Sequence, residues 1–241
     1  MAQVLLPRTI DGPGAVRLLN DIHRAGDDPA RDAVVFTGSD GVFCDGLDLG
    51  GLVAADAGRD EIAAAMDAFA QCLSLLRCSP KPTMALVDGT ARGGGLGFAA
   101  ACDVVIATDR SHFALPELLW GLLPAVVYAS LRERLTVQQC RLWMLMGGAR
   151  TAAEAWASGL VDDVVRPAAL GRARQQWERK LSRARPETVV RLRRFLGADV
   201  TEPVEAARRG IALTTDTLMD EQLRASLRLF HDTGALPWET T

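Results

Sequence analysis

Three consecutive glycines, Gly93, Gly94 and Gly95, constrain the fold of this chain more than any other feature. They follow a short apolar run at residues 83–87, typical of a buried strand, and precede an alanine-rich run at residues 96–102, typical of a helix. Glycine lets the backbone turn tightly and lets a ligand approach it closely. The first N–H groups of a helix lack intrahelical partners and carry partial positive charge. The sequence therefore predicts an anion-binding turn between a strand and a helix.

A single carboxylate, Glu117, follows this turn in an otherwise apolar stretch. Its neighbours Leu115, Leu118 and Leu119 are expected to raise its pKa towards neutrality by excluding water. Preorganised main-chain donors stabilise an enolate, and a carboxyl group with a near-neutral pKa transfers protons efficiently. The combination of turn and acid predicts enolate chemistry, with Glu117 as the catalytic residue.

Composition excludes several other classes of protein. The net charge of −3 argues against nucleic-acid binding, and no apolar run is long enough to span a membrane. The N-terminus lacks a signal-peptide pattern, and five scattered cysteines indicate reduced thiols, so a cytoplasmic location is expected. The three histidines are far apart and none has metal-ligand spacing, so no metal site is predicted. The glycine cluster is not a dinucleotide fingerprint, because Phe98 stands where the last glycine would be.

Short strand patterns alternate with helical ones as far as residue 165. Strands are predicted at residues 32–37, 83–87, 104–107 and 160–165, and helices at 15–24, 60–78 and 126–146. After Pro167 the pattern is helical and arginine-rich, at residues 170–184, 186–196 and 203–230. We therefore predict an α/β core with the active site at residues 1–165 and a helical region at 166–241. Its arginines form either a solvated face or a docking surface for an acidic partner.

Two stretches together resemble the crotonase, or enoyl-CoA hydratase/isomerase, superfamily. Residues 43–49 (FCDGLDL) resemble its first oxyanion-loop motif, and residues 93–97 (GGGLG), 102–103 (CD) and 113–124 resemble its second. The resemblance extends from about residue 30 to the C-terminus, whereas residues 1–14 depart from the usual first strand pair. It implies a crotonase spiral of repeated ββα units with two sheets at an angle. It also implies C-terminal helices that build a homotrimer, sometimes paired into a hexamer.

The resemblance assigns roles to individual residues. The backbone N–H groups of Leu47 and Gly94 match the donors that hold the thioester oxygen as it becomes an enolate. Hydratases use two glutamates; the second matches Glu117, and the first would fall at Gly97, so it is missing here. The other substrate-binding candidates are Arg92, Gly93, Gly95 and Leu115, with Arg92 meeting either a distal carboxylate or a phosphate.

A narrower likeness is to the polyketide β-branching members, which also carry glycine at the position of Gly97. They dehydrate 3-hydroxy-3-methylglutaryl on an acyl carrier protein to 3-methylglutaconyl. The resemblance thus implies an acyl-thioester substrate on the phosphopantetheine of a carrier protein or on CoA, and no further cofactor. Two alternatives remain open: a single-glutamate enoyl-CoA isomerase, and an inactive crotonase-like scaffold.

Overall fold

The computed structural model describes residues 1–196 and 201–234 of the chain. Within them, five parallel strands form one sheet in the order β1-β2-β4-β6-β9, and a smaller sheet has the order β3-β5-β7-β8. The strands are β1 (Ala2–Leu5), β2 (Val34–Thr37), β3 (Val42–Cys44), β4 (Thr83–Val87), β5 (Thr90–Arg92), β6 (Val104–Thr108), β7 (His112–Ala114), β8 (Arg150–Thr151) and β9 (Asp163–Val165). Each of β2, β4 and β6 continues into a short strand of the second sheet and then into helices, which agrees with the predicted α/β spiral of ββα units.

Helices surround both sheets. They are α1 (Gly12–Asp27), α2 (Leu49–Ala54), α3 (Arg59–Arg77), α4 (Gly94–Ala101), α5 (Ala125–Leu131), α6 (Val137–Met146), α7 (Ala152–Ser158), α8 (Leu170–Leu181), α9 (Pro186–Phe195), α10 (Thr201–Leu218) and α11 (Glu221–Thr233), with 3-10 helices at Glu117–Trp120 and Pro167–Ala169. The residues predicted to be helical at 203–230 form two helices, because Asp220 caps a new helix by accepting from the Leu223 N–H at 2.9 Å. Residues 126–146, predicted as one or two helical pieces, form two, α5 and α6.

The larger sheet is covered on both faces. In β2, Val34 and Phe36 point into the main core with α1, α3 and α4, whereas Val35 points to the other face. There it packs with Ala173 and Trp177 of α8. Helix α8 therefore forms part of the core packing, and the division between residues 165 and 166 stays a prediction, as does the trimer. In the described residues, no helix is both long and apolar enough to cross a membrane.

Candidate active site

The two glycine-containing turns touch each other. Gly46 has a positive φ of 89°, and a Cβ atom added to it would lie 2.6 Å from the Gly94 nitrogen. A Cβ atom added to Gly94 would in turn lie 3.1 Å from the Gly46 Cα. Only glycine allows backbones to approach this closely. The structure therefore brings together the two turns that were predicted to supply the oxyanion donors.

The backbone N–H group of Leu47 takes no part in the hydrogen bonds that hold its loop against Ile10. The Ile10 N–H donates to Gly46 O at 2.9 Å, and the Asp48 N–H donates to Ile10 O at 2.8 Å. This parallel bridge uses the residues on either side of Leu47 but not its own N–H, which has no acceptor in the described part of the chain. Leu47 thus has a free main-chain donor on a fixed loop.

Gly94 opens α4, so its N–H has no acceptor within the helix. The turn before it is held by the Gly93 N–H, which donates to Ala114 O at 3.0 Å, and by Gly93 O, which accepts from the Gly97 N–H at 3.1 Å. Gly93 itself has a φ of 48°, which favours glycine. The arrangement leaves the Gly94 N–H beside the loop of Leu47, as an oxyanion hole requires.

Glu117 faces this turn from the start of the Glu117–Trp120 3-10 helix. A Cβ atom added to Gly93 would lie 2.9 Å from Glu117 Oε1. Glu117 Oε2 is inaccessible to solvent and has no hydrogen-bond partner among the described residues. Burial raises the pKa of Glu117 to about 7, opposed in part by the backbone N–H of Glu117 itself. The carboxyl group can therefore accept or donate a proton near neutral pH.

Two of the residues predicted to contact substrate, Leu115 and Gly95, are buried in the packing around the turn. Leu115 is fully buried in the core, where its side chain supports the turn, and its role as a substrate contact stays a prediction. Gly95 is also buried, and a Cβ atom there would overlap the Cys44 carbonyl oxygen. Gly95 is needed because α4 packs directly on β3, and its contact with substrate stays a prediction.

Arg92 lies at the edge of the site and is about half exposed. Its Nε is 3.9 Å from Asp45 Oδ1, and Arg8 Nε is 3.3 Å from Asp45 Oδ2. Arg92 as a substrate-binding residue stays a prediction. Arg8 was not predicted to lie here, because 37 residues separate it from Asp45 and only the fold joins them.

The position of the missing hydratase glutamate is filled by aliphatic groups. A Cβ atom added to Gly97 would lie 3.2 Å from both methyl groups of Val127 and 3.3 Å from Leu73 Cδ1. An acidic side chain does not fit here without moving these neighbours. The position that matches the missing hydratase glutamate therefore supplies no carboxyl group here.

The described residues offer neither an activated thiol at Cys44 nor a cluster of metal ligands. Burial raises the pKa of the Cys44 thiol to about 12, so it is a packing residue rather than a nucleophile. Among the described residues, no three histidine, cysteine or acidic side chains form a group that could hold a metal ion.

The chain belongs to the enoyl-CoA hydratase/isomerase family, whose sequence model matches residues 16–241. It is similar to the bacillaene synthase dehydratase PksH of Bacillus subtilis (strain 168), with 28% identity over 208 residues, 86% of this chain and 79% of PksH. It is 32% identical to the 2,3-dehydroadipyl-CoA hydratase of Escherichia coli (strain K12) over 150 residues, 62% of this chain and 57% of that protein.

Solved structures agree on the fold. A crystal structure of PksH from Bacillus subtilis matches with a TM-score of 0.84 and 24% identity, covering 98% of this chain and 95% of that one. The enoyl-CoA hydratase of Bacillus halodurans matches with a TM-score of 0.84 and 19% identity, covering 93% and 95%. The predicted crotonase fold is confirmed, and the protein is an enzyme of the hydratase and dehydratase lyases in that superfamily.

Proposed function

We propose that this protein dehydrates a 3-hydroxyacyl thioester of the 3-hydroxy-3-methylglutaryl type, carried on an acyl carrier protein, during polyketide β-branching. The observation that carries the proposal is a single carboxyl group, Glu117, with a pKa of about 7 beside the Gly93–Gly94 turn. The second acid of a hydratase is absent at Gly97, where an acidic side chain would have to displace Val127 and Leu73. The similarity to PksH, which is named as a dehydratase, supports this choice within the family.

The reaction follows from the positions of three groups. The N–H groups of Leu47 and Gly94 donate to the thioester oxygen, and ionised Glu117 removes the proton from C2 to give an enolate. Protonated Glu117 then returns that proton to the hydroxyl group on C3, water leaves, and a double bond forms between C2 and C3. Each main-chain donor is expected to lower the barrier by about 3 kcal/mol.

Arg193, one arginine of the C-terminal helical region, lies away from the catalytic turns. It belongs to α9 and donates to Arg77 O, Lys81 O and Asp103 Oδ2, which places α9 at the amino ends of β4 and β6. The catalytic turns follow the carboxyl ends of those strands, beyond the second sheet. We therefore assign Arg193 to the stability of the fold, and propose Arg92 for recognition of an anionic group.

An enoyl-thioester isomerase is the second candidate. Isomerisation needs one carboxyl group that takes a proton from one carbon and returns it to another, and Glu117 suits this equally well. The two functions differ in whether a hydroxyl group leaves, so they predict different products from different substrates.

A substrate panel distinguishes the two candidates. The purified protein is incubated with 3-hydroxy-3-methylglutaryl on its carrier protein, with the same acyl group on CoA, and with a 3-enoyl-CoA. Dehydration predicts a loss of the mass of water from the first substrate and slower loss from the second. Formation of conjugated product from the 3-enoyl-CoA, with no water loss from either hydroxyacyl thioester, contradicts the dehydratase and establishes the isomerase. Light scattering on the same sample tests the proposed homotrimer or hexamer.

A further inference from the structure

The C-terminal helix α11 reaches both catalytic segments. It packs along α2, which begins two residues after Leu47. Near its end, the Phe230 ring meets the Trp120 ring edge-on, with 4.9 Å between centroids and 65° between planes. Trp120 is the last residue of the 3-10 helix that begins with Glu117. One helix therefore contacts both the element after the first oxyanion donor and the element that carries the acid.

His231, the residue after Phe230 in α11, lies against α2. A Cβ atom added to Gly50, in the first turn of α2, would lie 3.6 Å from His231 Cβ. Because Phe230 and His231 are consecutive, the end of α11 bridges α2 and the turn of Glu117. It therefore contacts an element on either side of the candidate site.

A buried arginine holds α11 in this place. Arg224 is 5% exposed and donates to Ala57 O at 3.2 and 3.3 Å and to Asp56 Oδ1 at 3.0 Å. Asp56 lies just beyond α2 and has a φ of 57°, an unusual conformation for a residue other than glycine. Bonds from a charged donor are stronger and more directional than neutral ones, so they fix the helix relative to α2.

We propose that Phe230 is a positioning residue for Glu117: by packing on Trp120 it holds the Glu117 turn against Gly93 and keeps water away from the carboxyl group. The proposal rests on the proposed function only for its kinetic consequence, because the environment of Glu117 can be measured without turnover. Aromatic pairs of this geometry contribute about 1 kcal/mol beyond the area that they bury.

The proposed role predicts a change in the ionisation of Glu117. The pKa of Glu117 is raised by burial, so if loss of the Phe230 ring loosens the Glu117–Trp120 turn and admits water, that pKa should fall towards the ordinary value of 4.5. The charged or titratable side chains on the surrounding elements are Arg92 before α4, Asp45 and Asp48 before α2, Arg141 in α6 and His231 in α11. Replacing Phe230 alters none of them, so a shift reports the change in water access.

The test is a carbon-13 NMR titration of protein labelled at the glutamate carboxyl carbons, with Glu117→Gln used to assign the resonance. The wild type should titrate near pH 7. Phe230→Ala should titrate at a clearly lower pH, and its kcat should fall by about 10- to 100-fold with little change in KM, because the acid is misplaced. Leu229→Ala is the matched control, since this neighbouring apolar side chain is exposed to a similar degree, 49% against 38% for Phe230, but has no ring to pack on Trp120. It should behave as wild type.

A folded Phe230→Ala protein that still titrates near pH 7 would overturn the proposal. If Phe230→Ala does not fold, Phe230→Leu is measured instead, because it keeps an apolar group but loses the ring contact with Trp120, and the same two outcomes apply. A wild type that turns over no thioester contradicts the proposed function, but it leaves the titration readable.

Discussion

The variant Glu117→Gln should be more stable than the wild type, and the difference in unfolding free energy should increase as the pH rises. The folded state holds this carboxyl group at a pKa of about 7, against an ordinary value of 4.5. That difference corresponds to about 3 kcal/mol of folding free energy, an upper value because the buried charge can attract water. Because the folded pKa is raised, Glu117 does not destabilise the folded wild type below pH 4.5, where the carboxyl group is protonated in both the folded and the unfolded state. The destabilisation grows between pH 4.5 and 7 and is complete above pH 7.

Urea unfolding of the wild type and of Glu117→Gln at several values between pH 5 and pH 8.5 measures this effect. Glutamine has nearly the same shape but no charge, so the variant should gain up to about 3 kcal/mol over the wild type at pH 8.5 and much less at pH 5. Glu187→Gln on the exposed surface of α9 controls for the loss of one negative charge. A difference between Glu117→Gln and the wild type that does not change with pH would refute the reasoning.

Three further substitutions test other parts of the structure. Gly94→Ala should lower kcat by about 100-fold, because its Cβ would overlap Phe69 Cζ and move the donor; Gly171→Ala, with open space around it, should leave kcat unchanged. Gly97→Glu should lower Tm and create no hydratase activity, since its carboxylate would be buried against Val127; rapid hydration of an enoyl-CoA by this variant would contradict the packing argument. Arg193→Ala should lower the unfolding free energy by about 2 kcal/mol and leave kcat unchanged, because it removes three bonds far from the site; an unchanged urea midpoint would show that these bonds do not stabilise the fold.

Local sequence patterns predicted the elements with strong periodicity. The helix predicted at residues 60–78 is α3 (Arg59–Arg77), whose apolar residues recur at helical spacing. The short strands β5 and β7 were not predicted as elements, because three residues are too few to show a period. Their strand geometry comes from pairing with each other, which no local pattern reveals.

The catalytic centre was more predictable than its surroundings. A glycine run and a lone acid in apolar sequence are local signals, so the Gly93–Gly95 turn and Glu117 could be chosen from the sequence, whereas the roles of Leu47 and Gly94 came from the family resemblance. Arg8 and Phe230 could not, since each reaches the site from an end of the chain through tertiary packing. The sequence also could not show that the side chain of Leu115, two residues before the acid, is buried in the core.

The most direct test of the catalytic arrangement is the turnover of Glu117→Gln on carrier-bound 3-hydroxy-3-methylglutaryl thioester under saturating substrate. One carboxyl group carries both proton transfers here, so kcat should fall by about 1000-fold or more while KM stays close to that of the wild type. A variant that dehydrates the substrate at a rate within a few fold of the wild type would contradict the assignment of Glu117 and the single-acid mechanism with it.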